Sequence, residues 1–362
     1  MATPEQSPSA ALFAPLTIRG VTLRNRIVVS PMCQYSSEEG FATDWHLVHL
    51  GSRAVGGAAM VTVEATAITR DGRITNSCLG IWKDEHIAKL KQIAAFVSGR
   101  GAVPAIQLSH AGRKASTKPP SQGGTFVKKE EGGWQHVAPS PVPFRPEDGI
   151  PHELTLDEIA AVRQAYVDAA LRAVEAGFKV LEIHAAHGYL LNEFMTPLAN
   201  QRKDQYGGSF ENRIRLTLET IRAIRANMPA EMPLFMKISA VDWAEGGWEL
   251  SDSEKLAAEA KAAGVDLIVC SSGNVVPYQK VDFKPGFQVP FAESLRSKTG
   301  VLTGAVGLIT QPSQANEIVE SGKADLIEMA REFLRDPYFP LHAAKALGVK
   351  PTFPGQYTPA FI

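Results

Sequence analysis

Two histidines and a tyrosine leave one apolar run together. The run reads Val180-Leu-Glu182-Ile-His184-Ala-Ala-His187-Gly188-Tyr189. Residues 180–183 are apolar except Glu182, which suits a buried strand. Side chains alternate along a strand, so Glu182 and His184 share a face. The strand breaks at Gly188, and His187 and Tyr189 fall where it ends. Chemistry in α/β proteins sits at the C-terminal ends of strands. Imidazole N–H groups can hold negative charge on an oxygen, and a phenol can deliver a proton. Two core histidines with satisfied nitrogens, or a metal-binding pair, would show the same spacing.

The elements around this run decide how it is presented. Apolar runs rich in Val and Ile recur at 26–31, 58–64, 103–110, 180–184, 233–240, 265–270, 301–303 and 324–331. They are apolar on both faces, as buried parallel strands must be. Helical patterns separate them. Thr155-x-x-Glu158 and Ser251-x-x-Glu254 read as capping boxes opening two of these helices. Asp336-Pro337 opens the last helix, with proline at its first position. Strict βα alternation implies a parallel sheet, and eight units predict closure into a single-domain (β/α)8 barrel. An open doubly wound sheet is the rival, but no GxGxxG follows the first strand. A small hairpin at 16–23 precedes the barrel. A Gly-, Pro-, Lys- and Ser-rich excursion at 111–154 follows the third strand and reads as a functional excursion or a lid. The barrel spans 12–349, between a disordered tail at 1–11 and an extended tail at 350–362.

Composition excludes several classes. The 362 residues carry a net charge of −1, which leaves no electrostatic footprint for nucleic acid or an anionic membrane. The three cysteines form no CxxC pair, so zinc and iron–sulfur sites lack their ligands. The N-terminus lacks a basic region and an apolar core, so it is no secretory signal. A reducing cytoplasm fits best.

In a barrel all strand ends share one mouth. That mouth would gather Cys33 and Tyr35, Ala65, Gln107, His184, His187 and Tyr189, Lys237, Gly304-Ala305-Val-Gly307, and Ala330-Arg331. The ends of strands seven and eight are where barrels often hold a phosphate. With Gln107 as a neutral donor and Lys237 as a cation, they suggest a phosphorylated planar cofactor.

At this point the residues resemble a known family. Glu182 through Tyr189, continuing with Phe194, Pro197, Asn200-Gln-Arg202-Lys-Asp204-Gln-Tyr206-Gly-Gly-Ser209 and Asn212-Arg213, is similar to the signature of the Old Yellow Enzyme family of FMN-dependent ene-reductases. The likeness runs from Leu12 to Pro337. Ser30-Pro-Met-Cys33-Gln-Tyr35 and the short length resemble its thermophilic-like subgroup.

The resemblance implies FMN as cofactor and NADPH or NADH as co-substrate, of the NADPH dehydrogenase and xenobiotic reductase type. Small α,β-unsaturated ketones, aldehydes or maleimides would be reduced in ping-pong fashion. Ser30, Pro31, Met32, Cys33, Ala65, Gln107, His184 and Lys237 would contact the flavin. Gly304, Ala305, Gly307, Ala330 and Arg331 would hold its phosphate. His184 and His187 would bind the substrate carbonyl oxygen, Tyr189 would donate the proton, and Tyr35 would line the pocket. Cys33 would tune the flavin. This chain departs from the family in carrying Lys237 for its usual arginine and Ala330 for its usual glycine. A lysine keeps the charge but loses the bidentate fork. A metal at His184-x-x-His187 would need a third ligand, and the wider motif favours the flavin over it.

Subgroup relatives are oligomers whose tails reach into a neighbour's site. The resemblance therefore implies a homodimer or a dimer of dimers. No arginine or tryptophan follows Arg335 here, so Tyr357 or Phe361 would replace the usual tail residue.

Overall fold

Eight parallel strands close a barrel in the computed structural model, which describes residues 10–360. The strands are β3 (Ile27–Val29), β4 (Met60–Ala67), β5 (Val103–Ser109), β8 (Val180–Ala185), β9 (Leu234–Ser239), β10 (Leu267–Ser271), β11 (Leu302–Ala305) and β12 (Leu326–Met329). They pair in that order, and β12 pairs with β3 to close the ring. The open-sheet rival is thereby excluded.

Strand alternation builds the interior in layers. Val28, Met60, Ala105, Val180, Phe235, Leu267, Val269 and Leu326 pack together inside the barrel. A hairpin, β1 (Leu16–Ile18) with β2 (Val21–Leu23), adds Ile18 and Leu23 to that cluster and plugs the N-terminal end. Two positions further along the strands, the period of two brings Ser30, Gln107, Glu182, Lys237, Ser271 and Glu328 inward. The apolar layer is thus the floor, and a polar layer stands above it. The outward residues pack against the helices in a larger core.

Helix ends follow local rules, with corrections. The Thr155–Glu158 box opens the helix Leu156–Glu175: Thr155 N–H donates to Glu158 Oε2 at 2.7 Å, and Glu158 N–H donates to Thr155 Oγ1 at 3.3 Å. The second box is not Ser251–Glu254. The helix Leu250–Ala263 starts earlier, and Glu249 and Asp252 cap it reciprocally. The last α-helix starts at Phe339, beyond Pro337. The excursion at 111–154 is not structureless. It holds four 3-10 turns and a short parallel pair, β6 (Val137–Ala138) with β7 (His152–Glu153).

The tails differ from expectation where they are described. Ala11 already belongs to a 3-10 turn, Ala11–Phe13. The C-terminal tail is not extended throughout: Gly355–Ala360 winds into a 3-10 helix. Tyr357 lies on its own chain, with its hydroxyl 3.0 Å from that of Tyr338. Phe361 lies outside the described residues.

Candidate active site

The C-terminal mouth opens into a cavity of about 330 Å³. Its lining includes Ser30, Pro31, Cys33, Ala65, Gln107, His184, His187, Tyr189, Lys237, Gly307, Ala330 and Arg331. Thus seven of the eight strand ends deliver expected residues, and β10 adds Ser271. Tyr35 lines an adjoining cavity, which Tyr189 also lines, so the two spaces meet at that phenol.

Three expected residues are placed elsewhere. Gly304 and Ala305 lie within β11 rather than past its end, and Ala305 is fully buried in the outer core. The loop that faces the cavity therefore starts at Val306. Met32 packs against the outer core instead of lining the cavity.

The histidine turn is strained and pinned. His187 has φ +63°, in the left-handed region, where a non-glycine residue costs on the order of 1–3 kcal/mol. Gly188 follows at φ +70°, and a Cβ there would lie on the Asn274 carbonyl. Three contacts hold the turn. His187 N–H donates to Ser239 Oγ at 2.8 Å, Lys114 Nζ donates to the His187 carbonyl at 2.8 Å, and Nε2 lies 2.7 Å from Ser271 Oγ. Tyr35 and Leu308 also have positive φ, so backbone strain gathers around these cavities.

Contacts fix which ring nitrogens remain for a ligand. Ala186 N–H donates to His184 Nδ1 at 3.3 Å, which leaves the proton on Nε2. His187 has Nδ1 left, and it donates from there when the Ser271 hydroxyl donates to Nε2. The His184 ring meets His187 and Tyr189 edge-on, with centroids 5.1 and 4.9 Å apart. Burial, then Lys237 and Lys114, hold His187 down at about 3, and burial drives His184 well down too. Burial pushes the Tyr189 phenol well above its usual value. The site therefore presents two neutral imidazoles and a protonated phenol at neutral pH.

Beside them, Cys33 ends a turn anchored by Glu64. The β4 register shifts between Val63 and Ala65, and Glu64 Oε2 accepts from Gln34 N–H at 3.0 Å. Burial, then Glu64, push the Cys33 thiol well up, so it is no thiolate.

The polar layer below carries charge. Lys237 Nζ lies 2.7 Å from Glu328 Oε2 and 2.8 Å from Ser30 Oγ. Burial opposes the Lys237 charge, but Glu328 and Glu182 together raise its pKa above a free lysine's. Gln107 donates to Glu182 Oε1 at 2.7 Å. Burial, then Glu328, push Glu182 up to about 8.

These donors fit a phosphorylated planar cofactor. The Gly307 and Leu308 N–H groups find no protein acceptor among the described residues. Gly307 has φ +117°, and a Cβ there would sit 2.9 Å from Gln288 Nε2, so a side chain would close this approach. Arg331 is exposed at the cavity without an ion pair among the described residues, which leaves a guanidinium for phosphate. Among the described residues, no three His, Cys, Asp or Glu side chains group as a metal-ion site.

Sequence reasoning missed Ser271, Lys114 and Glu328. A charged residue in the apolar run Leu326-Ile-Glu328-Met was a readable signal for Glu328. Lys114 sits in the excursion, where no periodicity marks it.

Comparison with known proteins points the same way. The sequence profile of the NADH:flavin oxidoreductase / NADH oxidase family matches residues 11–349. An NADPH dehydrogenase of Geobacillus sp. (strain WCH70) is 48% identical over 348 residues, 96% of this chain and 97% of that protein. Morphinone reductase, solved in complex with tetrahydroNAD, superposes with a TM-score of 0.77 at 27% identity, covering 96% of this chain and 93% of that one. The barrel of 2-naphthoyl-CoA reductase superposes with a TM-score of 0.85 at 25% identity, over 93% of this chain but only 52% of the longer protein.

Proposed function

The chain belongs to the NADH:flavin oxidoreductase / NADH oxidase family, and from that premise we propose an FMN-dependent ene-reductase that oxidises NADPH. The observation that carries this reading is the meeting of His184, His187 and Tyr189 in one cavity with Cys33, Gln107, Lys237 and Arg331. Bound FMN would supply hydride chemistry, accepting from a nicotinamide and giving to the Cβ of an activated C=C. Every other part falls to the chain. Gln107 and Lys237 hold the ring end of the cofactor, and Gly307, Leu308, Ala330 and Arg331 hold its phosphate. His184 Nε2–H and His187 Nδ1–H hold the carbonyl oxygen as charge builds there. Tyr189 gives its proton to Cα. Hydride and proton together saturate the double bond.

The substrates are α,β-unsaturated ketones, aldehydes and maleimides. Nicotinamide and enone share one pocket, so the order is ping-pong. Initial rates with NADPH and an enone should give parallel double-reciprocal lines, and intersecting lines would refute the shared pocket. The enzyme works on small molecules in the cytoplasm, where a reducing medium suits its three free cysteines, and its charge balance offers nothing to nucleic acid. No helix among the described residues is long and apolar enough to cross a membrane.

Cys33 tunes the flavin rather than attacking substrate, because its thiol stays protonated. Cys33→Ala should keep turnover and shift the flavin's midpoint potential. Complete loss of turnover with FMN still bound would contradict this role.

The protein assembles as a homodimer or a dimer of dimers. Tyr338 holds Tyr357 on its own chain, so a tail that docks on a neighbour would have to give up or carry along that contact. Sedimentation velocity at micromolar concentration should show at least a dimer. A fully active monomer would overturn the assembly.

A further inference from the structure

Lys237 and Glu328 are 91 residues apart and come from β9 and β12, which are not neighbours in the barrel. Their side chains meet across its interior. The Ser30 hydroxyl closes the group by donating to the same Glu328 Oε2 at 3.0 Å. All three residues line the cavity.

A lysine ammonium has three N–H donors. Two are taken by Glu328 and Ser30, and one is left for a ligand. Glu328 Oε1 is buried with no partner among the described residues. An orphaned buried carboxylate oxygen calls for an explanation beyond the ion pair itself. A charge with a counter-ion at contact acts on its surroundings as a dipole, and its reach falls accordingly.

We propose that Glu328 is the counter-ion that sets how much of the Lys237 charge a bound flavin feels, and so holds the flavin's reduction potential below what an unpaired lysine would give. The proposal rests on the flavin reading of the cavity. Glu328 is a positioning residue that acts through Lys237. Glu182, held by Gln107 on the same inward layer, is the other acidic group of this polar layer.

The test is the midpoint potential of the bound flavin in the full-length holoenzyme. Glu328→Gln keeps the shape and removes the charge. Reduced flavin carries the added negative charge, so losing a nearby carboxylate favours it. The potential should move positive by at least about 30 mV, a tenfold change for a two-electron couple. Lys237→Met should move it negative. In that background Glu328 has no lysine charge left to screen. Adding Glu328→Gln to Lys237→Met should then leave the potential nearly unchanged.

Glu328→Gln holoenzyme with an unmoved or more negative potential would overturn the proposal. So would an equal positive shift in the Lys237→Met background, because Glu328 would then act without Lys237. If Glu328→Gln does not retain FMN, the double variant is compared with Lys237→Met alone. Equal potentials support the counter-ion, and a tenfold difference overturns it. Wild-type protein that holds no FMN contradicts the flavin reading instead, so the two failures are distinguishable.

Discussion

Replacing His187 with alanine should slow enone-driven reoxidation of the reduced flavin by about 10²–10³-fold, the usual cost of one oxyanion donor. Reduction by NADPH should be far less affected, because no carbonyl oxygen gains charge in that step. The geometry around His187 is what supports so large an expected effect. His187 is held at φ +63° by Ser239, Lys114 and Ser271, so its ring is placed before substrate arrives. Pre-placed donors cost no reorganisation during reaction. Its pKa of about 3, against about 6.5 for a free histidine, gives the pH behaviour. A lowered pKa means the ring stays neutral as pH falls through 6.5. Oxidative half-reaction rates should therefore be flat from pH 7 to about 5. Stopped-flow traces showing both half-reactions unchanged in the variant would remove His187 from the oxyanion site. A rate loss centred near pH 6.5 would show that the ring titrates normally.

Tyr189→Phe should carry the second large effect. Loss of a positioned general acid typically costs about 10²–10⁴-fold. Phenylalanine keeps the edge-on contact with His184 and removes only the hydroxyl. Burial keeps the phenol protonated well beyond its usual range, so it stands ready as an acid at neutral pH. The loss should fall on reoxidation by enones, with flavin reduction by NADPH nearly intact. Equal reoxidation rates in the two proteins would mean that another group or water protonates Cα.

Much of this site was legible because strand arithmetic is local. The period of two places Glu182 and His184 on one face, and the barrel places all strand ends at one mouth. The wider motif around His184 and His187 then narrowed the chemistry. What escaped depends on contacts between distant segments. The Lys237–Glu328 pair crosses the barrel, and although each charge stands out in its own run, no local pattern says that the two meet. Ser271 approaches His187 from a strand 84 residues away. Gly304 and Ala305 read as a phosphate loop because glycine signals a turn, yet β11 continues through them for its pairing with β10 and β12. The cap of Leu250–Ala263 was misread because Glu254 has other work: its Oε1 accepts from Ser294 Oγ at 2.7 Å and pairs with Lys298 Nζ at 2.7 Å. The tail's 3-10 turn and its tyrosine contact leave no periodic trace either.

The central claim is that one cavity lets FMN take hydride from NADPH and reduce an activated C=C. Anaerobic titration of the purified protein tests it most directly. The protein should be yellow, lose its flavin band with stoichiometric NADPH, and recover it with a stoichiometric enone as the saturated ketone forms. A colourless protein that takes up no FMN, or a reduced flavin that only oxygen reoxidises, would contradict it.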